Sequence, residues 1–581
     1  MGILLKQVRV HGFRGLDNLE VDFEPTTVLV GTNNAGKTTL LKSLQLALSN
    51  SFQITDDDFF FSDAVIRNKI IIDVLFISVD DSGNQIPEFE DKWSTVITEN
   101  RITFDSAGNQ ILAFRTIIEE NLIRKTFTKK QFVIDEWSDF KNDENVLWFQ
   151  QTYTTSLSFY FDEIPFFYLD ANRDILEDLK SKTSFLGKIL SSINYEDGDK
   201  KLIEDLVKQL NKETIERSDV LTNLHTILEE LDTAMDNPNN TVDITPFTKK
   251  LRDLNKGVKI NYSQFSMEYH GMGTRSWSSL LILKAFILQN MNLANASQVA
   301  YYPIIAIEEP ESHLHPNAQK KLYSQINNIV GQKIVATHSS YIAGSAKLKE
   351  IRSICKTTAD TSVGEFDGTG LISEDIRKIY RQVINTRGEL FFSKLVILFE
   401  GETEEQALPI TIERHFVKSP IELGVDFIGV GGSGNYLPFI RFFEAFNIPY
   451  LILSDNETDA HIKVVKQIEK SKLKDLSKVV FLNDENDFEK ELCNNGHIDE
   501  VKKAYYSLIL SECTSEQHKN AKKTELDLIP DEDYYGIIVK LKTQFAPIIA
   551  YELSKSEKAL PEKMVELFEK VRVILNPVIN D

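Results

Sequence analysis

Apolar and polar positions alternate through the opening stretch ILLKQVRVHGFRGLDNLEVDF, and the glycine inside it predicts two strands joined by a turn. TTVLVG follows as a short continuous apolar run, which predicts a buried strand, and TTLLKSLQLAL carries an apolar stripe at helical spacing. The order is therefore strand, glycine-containing loop, helix. From about Phe185 to Lys259 the chain turns charged, with repeated apolar spacings that predict long helices. Such a segment reads either as an inserted, dimerising arm or as an ordinary helical layer on the sheet. YYPIIAIEEP and KIVATHSS predict two more buried strands, each running into a polar loop.

After the helical pattern EDIRKIYRQVINTRGEL a new apolar strand, KLVILFEG, begins at Lys394, and a domain boundary is expected near Gly388. Beyond it VDFIGVGGSGN, PYLILSDNE and KVVFLNDENDFEKEL are apolar runs ending in glycine or acids, with helices between them. That pattern predicts an α/β domain whose chemistry sits at the carboxyl ends of its strands. The tail from roughly Val501 is mostly helical in pattern.

Composition narrows the picture. The 581 residues, 42% of them hydrophobic, are enough for two or three domains, each with its own core. No apolar stretch approaches the ~18 residues of a membrane span, and there is no leader-like start. Cys355, Cys493 and Cys513 are too far apart to suggest a metal-ligand pattern, so the cytoplasm is the expected compartment. With 65 basic and 87 acidic residues the net charge is -22, which argues against coating nucleic acid by bulk electrostatics. A local groove remains open, and the basic runs IRKTFTKK (Ile123 to Lys130) and HKNAKK (His518 to Lys523) are candidates for lining it, with a solvated surface as the plainer alternative.

GTNNAGKT, Gly31 to Thr38, fits the phosphate-binding pattern G-x-x-x-x-G-K-[ST] in its proper strand–helix setting. Its backbone N–H groups would cradle the phosphates of ATP, Lys37 would meet the terminal phosphates and Thr38 would hold Mg2+. Asn33, Asn34, Ala35, Gly36 and Thr39 complete the expected nucleotide contacts. IIAIEEPESHLHP supplies the carboxylates: Glu308 to reach magnesium and Glu309 to polarise the attacking water. His338, closing the next strand, is placed to sense the γ-phosphate. HGMGTRSW, His270 to Trp277, reads as a flexible glycine loop able to offer N–H groups and Ser276 to a nucleotide on a second subunit.

In the later domain Glu400 ends one strand with Glu404 one helical turn on, Asp455 and Glu457 end another, and Asp484, Asp487 and Glu489 follow a third. Any one of these acids alone reads as a solvated loop tip. As a converging set they would repel one another unless a cation intervened, and Mg2+ or Mn2+ with oxygen ligands suits such a site. Two such ions can drive phosphodiester cleavage.

The head motifs, with FRG (Phe13 to Gly15) near the start, resemble the ATP-binding-cassette ATPase head of SMC, RecF and Rad50 proteins. There two heads sandwich ATP and each signature loop completes the partner's site. GMGTRS is a divergent signature, and Glu308 stands where Asp is usual. YLDANRD resembles the segment with that family's arginine, which nominates Arg173. The later motifs resemble a Toprim domain, with Glu400 as its first glutamate and Asp455 and Glu457 as its acid-x-acid pair. The second acid there is normally Asp, so Asp459 is a candidate to share the ligand role.

A P-loop head followed by Toprim is the layout of the OLD (overcoming lysogenization defect) family nucleases. The resemblance implies an α/β protein with an ATPase domain over 1–388, a helical insertion at about 185–259, and a Toprim nuclease domain over 389–581. It further implies Glu400, Glu404, Asp455 and Glu457 as metal ligands, Glu489 as a further candidate, and Lys542, in VKLKTQFAPIIA, as the phosphate-stabilising lysine. The implied activity is ATP-regulated, metal-dependent DNA cutting or nicking in bacterial antiphage defence. Implied partners are DNA, a homodimer or larger homo-oligomer, and a companion such as a helicase or a reverse-transcriptase element with its small nucleic acid, with no membrane. The competing reading is a repair or recombination ATPase whose Toprim domain binds DNA without cutting. A topoisomerase would need a nucleophilic tyrosine, and nothing around Tyr534 and Tyr535 suggests one.

Overall fold

The computed structural model describes the chain outside residues 1, 50–52, 62–66, 122–125, 141–147, 151–155, 158–160, 182–183, 193–196, 223–260, 263–264, 357–360, 369–371, 385–386, 484 and 580–581. Most of the expected helical insertion, and Asp484, lie outside the described residues. The chain divides into two compact units, one of Met1–Glu90, Ile97–Tyr160 and Lys333–Asp581, the other of Asp91–Val96 and Phe161–Gln332. The boundary expected near Gly388 falls inside the first of these units.

In the first unit the opening hairpin forms as its alternation predicts, Gly2–Phe13 pairing antiparallel with Leu16–Asp22. It continues into an antiparallel sheet through Lys69–Val79, Gln110–Asn121 and Thr126–Val133. A second group of strands runs Thr361–Glu365, Ile351–Lys356, Thr26–Val30 and Gln332–Ala336 in spatial order, with Thr26–Val30 parallel to both of its neighbours. Thr26–Val30 is buried along its whole length, as expected of a strand covered on both faces.

Four parallel strands build the C-terminal sheet, in the order Val425–Gly429, Leu395–Phe399, Tyr450–Ser454 and Val479–Phe481. The two central strands are buried at every position. One core joins Leu395, Ile397 and Phe399 to Leu408, Ile412, Phe545, Leu553, Leu567 and Phe568 from the covering helices. All four strands therefore deliver their following loops to the same sheet edge, where parallel α/β sheets place ligands.

The second unit holds the parallel pair Phe166–Leu169 and Ile304–Glu308, the helices Ile175–Lys180, Phe185–Ser192 and Asp197–Glu216, and the long helix Met272–Ala296. The Phe286 ring of that long helix meets Phe167 and Phe185, each at 5.9 Å between centroids. Among the described residues no helix is long and apolar enough to cross a membrane.

Candidate active site

The first C-terminal strand, Leu395–Phe399, is wholly apolar and stops at Glu400, and Gly401 caps the helix Glu402–Phe416 that follows. This strand-to-helix turn presents two acids. Glu404 turns back on the turn itself, its Oε1 accepting the Gly401 N–H at 3.3 Å. Glu400 Oε1 accepts from the Ser454 hydroxyl at 3.0 Å, which ties the first strand's acid to the end of its neighbour.

Asp455 comes immediately after Ser454. Its Oδ1 is buried and has no hydrogen-bond partner. The next loop is pinned alongside, since the Asn456 N–H donates to the Asn486 carbonyl at 2.9 Å and the Asn456 side-chain amide to the Leu482 carbonyl at 2.9 Å. Asp487 then caps the helix Phe488–Asn494, its Oδ1 accepting the Lys490 N–H at 2.9 Å, while Oδ2 accepts from the Tyr535 hydroxyl at 3.2 Å and from Lys542 Nζ at 3.3 Å. Glu489, 1% exposed, is held by the Thr403 hydroxyl at 2.7 Å on one oxygen and by Lys542 Nζ at 2.7 Å on the other. Lys542 opens the helix Lys542–Lys555, and its position there aims the ammonium at both acids.

Electrostatically these carboxylates are crowded. Burial, and then the charges of Glu404, Glu400 and Asp487, push Asp455 up to about 9. Burial also pushes Glu404 up to about 7, with its own backbone hydrogen bond working against the shift and Glu489 adding to it. Glu400 is raised by burial, though the Ser454 hydroxyl opposes this. Burial alone would lower the Lys542 ammonium, but hydrogen bonds and charge from Glu489 and Asp487 outweigh it and raise it above its ordinary value. The phenol of Tyr436 is raised well above its usual range by burial and then by Glu400, Glu404 and Asp455, so it stays protonated and donates to the Leu453 carbonyl at 3.2 Å.

Among the described residues no three His, Cys, Asp or Glu side chains already close around one metal-sized point. The donor set nevertheless suits a hard divalent cation. Every available donor is a carboxylate oxygen, Asp455 Oδ1 is buried without a partner, and the cluster keeps protons that a cation would replace. Glu457 and Asp459 are both exposed, Glu457 as the cap and Asp459 in the first turn of the helix Thr458–Glu469. Asp455, Glu404 and Glu400 thus lie on the inner side of the cluster.

In the nucleotide loop, Gly31 sits at φ +147 and Gly36 at φ +109, and a Cβ on Gly31 would stand 2.3 Å from the Ile354 carbonyl, so both glycines are required by the turn. Asn33, Asn34 and Thr38 are exposed, Thr39 is half-buried and Ala35 is buried. Lys37 begins the helix Lys37–Leu48 and folds over the loop, donating to the Gly31 carbonyl at 2.7 Å and the Thr32 carbonyl at 3.0 Å. A cavity of about 690 Å³ is lined by Arg14, Gly15, Thr55, Asp58 and Phe59, with Arg14 Nε bonded to Asp58 at 2.7 Å. His338 follows the strand Gln332–Ala336, and its ring lies 6.2 Å from that of Phe392.

Glu308, Glu309 and Ser276 belong to the second unit. Glu308 accepts from the Tyr168 hydroxyl, and Glu309 has φ +40, a conformation few non-glycine residues adopt. Arg173 is buried and clamps this turn through the carbonyls of Glu308 at 3.0 Å and Pro310 at 2.9 Å. The segment read as a flexible loop is helical from Met272, with Gly271 as its cap, because SWSSLLILKAFILQ propagates the helix back through the glycine. Gly273 is required there by contact, since a Cβ would meet the His313 carbonyl at 2.4 Å, and the Ser276 hydroxyl is buried without a hydrogen-bond partner.

Sequence reading singled out the acids but not the residues that hold them: Thr403, Ser454 and Tyr535. Only Thr403 and Ser454 carried a signal, as hydroxyls next to the acidic motifs.

Residues 4–343 match the family model described as an AAA ATPase domain, and residues 391–456 match the TOPRIM domain of overcoming lysogenization defect protein-like sequences. The OLD nuclease of Thermus scotoductus is 23% identical over 483 residues, covering 78% of this chain and 82% of that protein. Endonuclease GajA of Bacillus cereus is 24% identical over 564 residues, covering 80% and 78%, and the Old nuclease of Escherichia phage P2 is 23% identical over 495 residues, covering 78% and 77%. With an AAA ATPase domain over more than half its length and a Toprim domain behind it, the chain belongs to the OLD family of nucleases.

Proposed function

We propose that this chain is an ATP-regulated, divalent-metal-dependent DNA endonuclease or nickase of bacterial antiphage defence, working in the cytoplasm. The observation that carries the reading is the crowding of Glu400, Glu404 and Asp455 at the carboxyl edge of a parallel sheet, next to Asp487 and Glu489, which share the Lys542 ammonium. Glu400, Glu404 and Asp455 would hold Mg2+ or Mn2+, with Glu457, Asp459 and Glu489 as further ligand candidates. When bound, such ions activate water and stabilise the leaving oxygen of a phosphodiester.

The protein's own groups do the remaining work. Lys542 places a fixed positive charge where the scissile phosphate gains negative charge. Ser454 orients Glu400, and Thr403 orients Glu489. Burial of the cluster keeps competing water from screening these charges. ATP would be held by the head through Asn33 to Thr39, with Thr38 as a candidate Mg2+ ligand; Glu308 and Glu309 are the candidate carboxylates for hydrolysis and His338 the candidate sensor. Ser276 is assigned to the nucleotide of a second subunit, within a homodimer or larger assembly, and a separate companion component supplies the trigger.

The test is supercoiled plasmid incubated with Mg2+ or Mn2+, with and without ATP, comparing the wild type with Glu400→Ala and Lys37→Ala. Relaxed or linear product from wild type but not from Glu400→Ala is the expected result. Equal cutting by Glu400→Ala would place the chemistry elsewhere. A wild type that binds DNA but never cuts it would favour the binding-only reading.

A further inference from the structure

We propose that the lysines of the helix Thr458–Glu469 and the turn after it form the surface along which duplex DNA lies when one of its phosphodiesters enters the carboxylate site. This rests on the nuclease reading above and deepens it by naming the path of the substrate. The helix starts where the acids end, with Glu457 as its cap and Asp455 two residues earlier. Lys463, Lys466 and Lys470 follow at spacings of three and four, which puts them on one face. Ala460, Val464, Gln467 and Ile468 are the buried positions of the same helix, so the lysine face is turned outward. Lys472 and Lys474 extend the stripe, and all five lysines are exposed.

Dimensions agree with a duplex. At ~1.5 Å per residue, Lys470 stands ~20 Å along the helix from Glu457. B-DNA advances ~3.4 Å per step on each strand, so the stripe matches about six steps of backbone leading away from the acids.

The charges on this stripe are also uncommitted, unlike those of many other lysines in the C-terminal region. Lys502 pairs with Asp531 at 2.5 Å, Lys519 with Glu516 at 3.1 Å, Lys522 with Glu525 at 2.6 Å, Lys558 with Asp499 at 2.7 Å and Lys563 with Glu566 at 2.9 Å. Among the described residues none of Lys463, Lys466, Lys470, Lys472 and Lys474 has an ion pair or a side-chain hydrogen bond, not even with the nearby Glu469. On a chain of net charge -22, five free ammonium groups leading away from the acids form a basic stripe of the kind a polyanion requires. Among the described residues most lysines of the basic runs singled out from sequence are already engaged, Lys523 excepted. Lys129 donates to the Ser49 carbonyl, Lys130 pairs with Glu119, and Lys519 and Lys522 are paired as above.

The experiment uses the full chain carrying Glu400→Gln, so that bound DNA stays intact, and measures anisotropy of a labelled duplex across a salt series. Lys463→Gln, Lys466→Gln and Lys470→Gln together are expected to lower affinity ~10- to 100-fold at low salt. They should also reduce the log–log salt slope by about 2.7, the value for three phosphate contacts at ~0.9 each. The matching triple arginine variant should bind like its parent. A glutamine triple with unchanged affinity and slope, or an arginine triple as weak as the glutamine one, overturns the assignment. If the chain with Glu400 intact cuts plasmid while the glutamine triple binds normally, only this surface falls. If that chain neither binds nor cuts, the nuclease reading falls with it.

Discussion

The Lys542 ammonium stands 2.7 Å from a carboxylate oxygen of Glu489 and 3.3 Å from one of Asp487, which makes it the internal counter-charge of the cluster. Lys542→Ala would leave Glu489, almost wholly buried, with only the Thr403 hydroxyl. Single-turnover cutting is expected to fall ~10²-fold or more, the usual loss when a preorganised transition-state donor is removed. Because the lysine side chain is 40% exposed, the stability cost should be modest, about 1–2 kcal/mol, between that of surface and buried pairs. Lys542→Arg keeps the charge and should retain more cutting than Lys542→Ala. Equal rates in both variants would argue against a charge role.

The raised carboxylates give a pH dependence with a definite sign. Glu404 titrates near about 7 and Asp455 near about 9 in the folded chain, against ~4 for both when unfolded. Between pH ~4 and these values the folded state binds more protons than the unfolded one, so metal-free stability falls as pH rises through that window. A divalent cation needs the ionised groups, so its affinity should rise over the same range and its presence should offset the loss. Thermal melts from pH ~5.5 to ~9 with and without Mg2+ check this. The two curves should separate as pH rises, and Glu404→Gln should narrow the gap.

What was legible in the sequence was what local geometry dictates. The phosphate loop could be read because Gly31 and Gly36 must take positive φ and Lys37 must open a helix, all within one short motif. Glu400 and Asp455 could be read because each follows a strand built on an apolar run, LVILF and YLIL. What was not legible depends on pairs distant in sequence. Nothing near Tyr535 announces that its hydroxyl meets Asp487, nor anything near Thr403 that it meets Glu489. The strands Lys69–Val79 and Gln110–Asn121 carry no motif, so their antiparallel sheet emerged only from pairing. The basic runs show the same limit: a lysine's availability is set by its neighbours in space, and Lys519 and Lys522 of HKNAKK are paired with acids one turn away.

Lys37 bonds to two carbonyls of its own loop, so its ammonium already points into the cradle that phosphates would enter. Lys37→Ala is expected to abolish measurable ATP binding, by titration with a fluorescent nucleotide, while leaving the metal response of the melting temperature intact. Gly36→Ala should weaken binding through backbone strain instead, with ~1–2 kcal/mol lost for a side chain forced to positive φ. Undiminished nucleotide binding by Lys37→Ala would remove the loop from the ATP site.

The last prediction concerns the join between the head and the nuclease sheet. A Cβ on Gly388 would lie 2.4 Å from the Ser340 carbonyl, two residues beyond His338, and the Phe392 ring lies 6.2 Å from the His338 ring. Gly344 makes a similar approach, 2.8 Å to the Ile384 carbonyl. The segment so gripped leads directly into Leu395–Phe399, the strand that ends at Glu400. A shift of the His338 loop would therefore press on backbone connected to the first nuclease acid. Gly388→Ala forces this contact apart and should cost about 1–3 kcal/mol of stability, as overpacking does. ATP binding should persist, whereas the ratio of cutting with and without ATP should move toward unity. Plasmid cleavage by wild type and Gly388→Ala, each with and without ATP, measures that ratio directly. An unchanged ratio in a folded but destabilised variant would mean the contact serves packing and carries no signal.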